Sequence, residues 1–211
     1  MILCCDVATT TGFAWSEVGG TPQWSTVNFS GKGGTGEVCA KFRFHLMDRV
    51  LALKPSLICM ESPYVPIPRA PHIVRAGTDP SRASKGPAPM NPMVLRRLLA
   101  MVGLVEEIAF ERGIKCRECV SSEFVKFWTG KGSWGGRDAK KAAVMRVCRQ
   151  RGYDIADDNA ADALALWHYA EFIVAPEIAS RRAAGARMEL PLYGTLAAPT
   201  QARIIGRRVL S

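Results

Sequence analysis

The chain has 211 residues, enough to bury a core without disulfide or metal staples, and the length favours one domain with excursions over two domains. Its 28 basic and 19 acidic side chains leave a net charge of +9, which points to an acidic partner such as nucleic acid, an anionic membrane or an acidic protein. No stretch approaches the ~18 consecutive apolar residues of a spanning helix, and the N-terminus is too short and too soon acidic for a signal peptide, so a cytoplasmic protein is expected.

Residues 1–6 read as a buried strand ending on Asp6, followed by a turn at Thr9-Thr10-Thr11-Gly12. Residues 13–18 and 23–29 alternate as the second and third strands of an antiparallel meander. Four glycines between Gly31 and Gly36 mark a flexible connection. The roughly helical spacing of Val38, Phe42, Phe44, Leu46, Val50 and Leu51 predicts a helix over 37–53, closed by Pro55. Leu57-Ile-Cys-Met-Glu61 is a second short apolar run ending on an acid, as in a strand covered on both faces.

Residues 63–92 hold eight of the thirteen prolines, and their Arg69, Arg75, Arg82 and Lys85 are opposed only by Asp79, so they read as a basic insertion loop. A helix follows over 92–112, then a strand over 114–120 and a short helix over 121–128 beginning at a serine cap. Cys116 and Cys119 form a CxxC without a second pair of zinc ligands. They are expected as alternate, reduced residues of an edge strand. Trp128 to Gly136 is a glycine-rich hinge whose Trp128 reads as core, while Trp134 is read as either core, lid or base-stacking residue. A strongly basic helix over 137–151 carries Arg137, Lys140 and Lys141, and an apolar helix over 158–174 opens on acids. The tail 176–211 is read as either disordered or folding on a partner. The domain therefore spans 1–175, with an α/β fold: a mixed five-stranded sheet, part antiparallel meander and part parallel, with helices on both faces.

Three acids stand apart from solvated surface charge. Asp6 and Glu61 each end an apolar run, and Asp162 lies within Ala-Ala-Asp-Ala-Leu-Ala. An isolated buried carboxylate costs several kcal/mol in practice, so each needs a partner, and no basic residue adjoins them in sequence. If the first and fourth strands are neighbours, Asp6 and Glu61 meet at their ends. Asp158 and Asn159 lie one helical turn before Asp162, while Asp157 is placed as the helix cap. Such an oxygen-rich set suits Mg²⁺ or Mn²⁺, and two such ions ~3.5–4 Å apart serve phosphodiester hydrolysis.

The sequence at this point resembles a known family. Asp6-Val-Ala-Thr-Thr-Thr-Gly12-Phe-Ala14, the acidic strand 57–61, the basic positions Val125-Lys126, Thr129-Gly130-Lys131-Gly132 and Lys141-Ala-Ala-Val144, and the closing Asp158-Asn-Ala-Ala-Asp162-Ala-Leu-Ala are similar in kind and order to the RuvC-like Holliday-junction resolvases. That family belongs to the RNase H-like superfamily, and the match is nearest its phage and bacterial variants. The resemblance covers about residues 1–172. It implies a metal-dependent DNA endonuclease acting on four-way junctions as a homodimer, with helix 92–112 contributing apolar surface. Asp6, Glu61 and Asp162 would be the metal-binding catalytic acids. The family's fourth acid falls at Asn159 here, so either Asp158 substitutes or Asn159 is a neutral ligand. Lys126 and Lys141 match basic positions near the cleaved phosphate. Lys131, Arg137, Lys140, Arg69 and Arg75 would hold DNA. Two other readings keep the fold: a nuclease for flaps, forks or RNA–DNA hybrids, and a junction-binding protein with a weakened site. A sugar-kinase or actin-like ATPase ranks below both, because the chain lacks a second half-domain.

Overall fold

The computed structural model describes residues 1–63, 91–132 and 134–186. Its elements are β1 (Ile2–Asp6), β2 (Thr10–Ser16), β3 (Gln23–Asn28), α1 (Gly34–Leu53), β4 (Leu57–Glu61), α2 (Pro92–Glu111), β5 (Lys115–Cys119), α3 (Ser121–Thr129), α4 (Arg137–Gln150), α5 (Asp158–Val174) and α6 (Pro176–Ala186). The insertion expected over 63–92, with Arg69 and Arg75, lies almost wholly outside the described residues.

The sheet runs β3-β2-β1-β4-β5. β1, β2 and β3 pair antiparallel, and β4 lies parallel to both β1 and β5. This is the mixed five-stranded sheet expected, with β1 and β4 as neighbours. Alternation along β1 divides the core in two. Ile2 and Cys4 pack beneath α3, α4 and α5 with Trp128, Val144, Leu164 and Trp167. Leu3, Cys5 and Val7 pack beneath α1 and α2 with Phe42, Leu46, Val105 and Ile108. α5 is buried on nearly every side from Ala160 to Glu171, as a helix that is apolar all round must be.

Several local expectations change. The turn after β1 is shorter and earlier than Thr9–Gly12: the buried Thr11 hydroxyl donates to the Ala8 carbonyl, Phe29 N–H donates to the Thr9 carbonyl, and β2 begins at Thr10. Ser121 does not cap α3. The cap position is Val120, which has no side-chain acceptor, and the Ser121 hydroxyl takes a lysine instead. Cys116 and Cys119, three apart, cannot be alternate residues of one face. Cys116 is exposed and Cys119 is buried beside Cys59. Burial likewise pushes the Cys4 thiol up.

Past residue 175 the chain continues as helix α6 rather than as irregular tail. Arg182 explains its docking. Its guanidinium donates to both oxygens of the fully buried Glu171 at 2.9 and 3.0 Å and to the Gly20 carbonyl at 2.7 Å, while Gly19 N–H donates to Glu171 as well. A charge so deeply buried requires this degree of satisfaction. Residues 187–211 lie outside the described residues. Among the described residues, no helix is long and apolar enough to cross a membrane.

Candidate metal centre and nucleic-acid interface

The site forms at the carboxyl ends of the two central parallel strands. Cys5 is paired with Met60, so the next residue of each strand sets Asp6 beside Glu61. Asp6 shares the face of Ile2 and Cys4, and Glu61 that of Cys59, so both point into the layer of α3, α4 and α5. α5 brings the third acid. Its approach depends on Gly12, the β2 partner of Asp6. A Cβ there would lie 1.9 Å from the backbone oxygen of Asn159 and 2.4 Å from its carbonyl carbon. Only the absence of a side chain lets the first turn of α5 lie against the sheet, one turn ahead of Asp162.

Asp157 caps α5 as expected, accepting from Ala160 N–H at 3.0 Å. The Thr26 hydroxyl, 2.8 Å from the nearer oxygen of the same carboxylate, ties the cap to β3. The start of α5 is therefore held at two points of the meander, and Asp162 is carried to a fixed depth.

The electrostatics show the crowding. Removal from water and the charges of Glu61 and Asp162 raise the pKa of Asp6 well above the usual carboxylate range, and a side-chain hydrogen bond to Glu61 adds to this. Lys140 opposes the rise. Burial pushes Asp162 up to about 6, with Glu61 adding to the rise and Lys140, Lys141 and Arg137 working against it. Asp162 is only 7% exposed, and its Oδ1 has no hydrogen-bond partner.

Two lysines of α4 stand over these acids. Lys140 lies 4.0 Å from Glu61 and donates to the Ser121 hydroxyl at 2.7 Å. Lys141 pairs with Asp158 at the rim. Of the two, Lys140 influences Asp6 and Asp162 most, so it is the more central, although the sequence match favoured Lys141. Ser121 was missed as a member of the site because a serine before an apolar run reads as a helix cap. Arg137 is exposed on the first turn of α4, and its charge reaches Asp162. Lys126 and Lys131 are exposed. Lys131 lies over the Trp134 ring, 5.0 Å from its centre, so this lysine braces the hinge. Trp128 is core, stacked on His168. Trp134 is half-buried against the same core, with its indole N–H donated to the Lys131 carbonyl.

Among the described residues, no three His, Cys, Asp or Glu side chains stand ready-made as an ion's ligand set. Asp6, Glu61 and Asp162 still converge closely enough for each to feel the others' charge, with Lys140 opposing them. Asp158, expected as the fourth ligand, is turned to Lys141 instead. The orphaned, buried Asp162 Oδ1 and the oxygen-only donor set nevertheless fit a hard divalent cation, which would give that atom the partner it lacks.

The mixed β3-β2-β1-β4-β5 sheet with helices on both faces is an RNase H-like fold. Within it, the chain has the fold of the RuvC-like resolvases. The structure of Thermus thermophilus RuvC aligns over 90% of this chain and 99% of its own, with a TM-score of 0.52 and 15% identity. T. thermophilus RuvC in complex with its Holliday junction substrate aligns over 82% of this chain and 94% of its own, at 0.53 and 13% identity. No family model matches the sequence, and no curated protein matches it. The likeness is thus carried by the fold.

Proposed function

We propose that the protein is a divalent-metal-dependent endonuclease that resolves four-way DNA junctions by phosphodiester hydrolysis. The observation that carries the proposal is the buried convergence of Asp6, Glu61 and Asp162, with an orphaned Asp162 oxygen, on a fold shared with a protein solved on a Holliday junction. Asp6, Glu61 and Asp162 would hold Mg²⁺ or Mn²⁺. Asp158 joins them if Lys141 releases it, and Asn159 is the alternative neutral ligand. When bound there, paired divalent ions supply an activated water and neutralise charge on the leaving oxygen.

The remaining roles belong to the protein. Lys140, held by Ser121, and Lys141 present positive charge to the phosphate that approaches the acids. Arg137, on the same helix, extends that cationic surface, with Lys126 and Lys131 farther out and Arg69 and Arg75 in the insertion after Glu61. A four-way junction has near two-fold symmetry, and a homodimer would match it. The exposed Met93, Val94 and Leu99 of α2 are the apolar surface proposed for that contact.

The test incubates the purified protein with a synthetic four-way junction and a matched linear duplex, in Mg²⁺ or chelator, with Asp6→Asn as control. Paired symmetric nicks in the junction alone, lost with chelator and in the variant, are expected. Cutting of flaps or forks but not junctions would retain the nuclease and change its substrate. The Lys141–Asp158 pair favours one second reading, a junction-binding protein with a weakened site. Tight junction binding without cutting in either metal would establish it.

A further inference from the structure

Among the described residues, a guanidinium across the sheet end from Lys140 has no counter-charge. Arg97 lies on α2, in the layer opposite α4, and is half-buried. Its Nη1 lies 3.3 Å from the Thr9 hydroxyl, in the turn that follows Asp6, and its Nε is buried with no hydrogen-bond partner. Among the described residues, it forms no ion pair with any carboxylate. A cation partly withdrawn from water is costly unless an anion completes it, and a guanidinium offers five donors, of which one is used among the described residues.

The turn that receives Arg97 is itself firmly held. The Thr9 carbonyl accepts from Phe29 N–H at 2.8 Å, and Thr11 bonds back to Ala8. Thr9 is three residues from Asp6, at most about 10 Å of extended chain. With the Thr9 side chain and the 3.3 Å hydrogen bond added, the guanidinium lies within roughly 16 Å of Asp6, about five phosphate rises of about 3.4 Å along the duplex axis. Lys140 and Lys141 approach the same strand ends from the α4 side. A strand passing over them would meet positive charge from both layers.

We propose that Arg97 is a backbone-phosphate contact that holds the nucleic-acid strand flanking the acidic site, with Thr9 orienting the guanidinium. Arg97 is the phosphate site, and Thr9 is a positioning residue. This rests on the nuclease reading above and assigns that reading a second point of attachment, independent of the acids.

The experiment is anisotropy titration of a labelled four-way junction in chelator, so that nothing is cut, over a salt series. Wild type, Arg97→Gln, Arg97→Lys and Thr9→Val are compared, each with its unfolding midpoint. Arg97→Gln should weaken binding several-fold at low salt and reduce the slope of log K against log salt by about one. Arg97→Lys should keep the slope. Thr9→Val should also keep it while weakening binding modestly. Wild-type slope and affinity in Arg97→Gln would overturn the assignment and leave the nuclease reading intact. A wild-type chain that binds neither junction nor duplex would overturn both.

Discussion

Replacing Gly12 by alanine should separate the acids without touching any of them. The new Cβ would lie 1.9 Å from the Asn159 oxygen, 2.4 Å from its carbon and 3.0 Å from Ala160 N, all of them backbone atoms that no rotamer change can remove. Reaching an ordinary contact near 3.4 Å requires the first turn of α5 to retreat by about 1.5 Å. That turn is anchored by Asp157 to Thr26, and Asp162 lies a turn beyond it, so the retreat opens the gap to Asp6. Overpacking of this kind costs typically about 1–3 kcal/mol of stability. A misplacement of about 1 Å in a catalytic set costs on the order of 100-fold in rate. Urea unfolding and junction cleavage measure the two effects. Gly103→Ala is the matched control: it lies within α2 with nothing within 4 Å of its would-be Cβ, and it should gain roughly 0.5–1 kcal/mol. A Gly12→Ala protein with wild-type midpoint and wild-type cleavage would refute the claim that this contact sets the site.

Other outcomes follow from the same geometry. The Asp162 carboxyl is raised to about 6 in the folded chain, so the folded state binds its proton more tightly than the unfolded state does. In chelator, stability should therefore rise as pH falls through 6 towards 4, by roughly 3 kcal/mol from this group alone. The difference between wild type and Asp162→Asn isolates it, and a pH-independent difference would sink the idea. Divalent metal should stabilise the chain increasingly above pH 6, where Asp162 is charged, as read by thermal midpoint with and without Mg²⁺. Ser121→Ala removes the acceptor of Lys140 at the edge of the site; cleavage should drop several-fold while stability changes by no more than about 1 kcal/mol. Arg182→Ala strands the buried Glu171 charge and should cost about 3–5 kcal/mol in urea unfolding, whereas an unchanged midpoint would mean that α6 does not hold the turn between β2 and β3.

Much of this protein was legible in one dimension. Period-two alternation and helical spacing depend on neighbours a few residues apart, and they located five strands and the main helices to within a few residues of each end. Asp6 and Glu61 stood out because an acid that ends an apolar run conflicts with its surroundings. Asp162 stood out for the same reason, and Asp157 was readable as a cap. What the sequence could not decide was which side chains meet across the fold. That Ser121 would accept from Lys140 rather than cap α3, that Asp158 would turn to Lys141, and that Gly12 would be the seat of α5 are contacts between segments far apart in the chain. Arg97 reached Thr9 the same way, and α6 became ordered through Arg182 finding the buried Glu171. Local pattern reports how a segment partitions between water and core. The pairing of charges and the depth of a helix are set by tertiary packing, where a buried charge must find its partner wherever the fold supplies one.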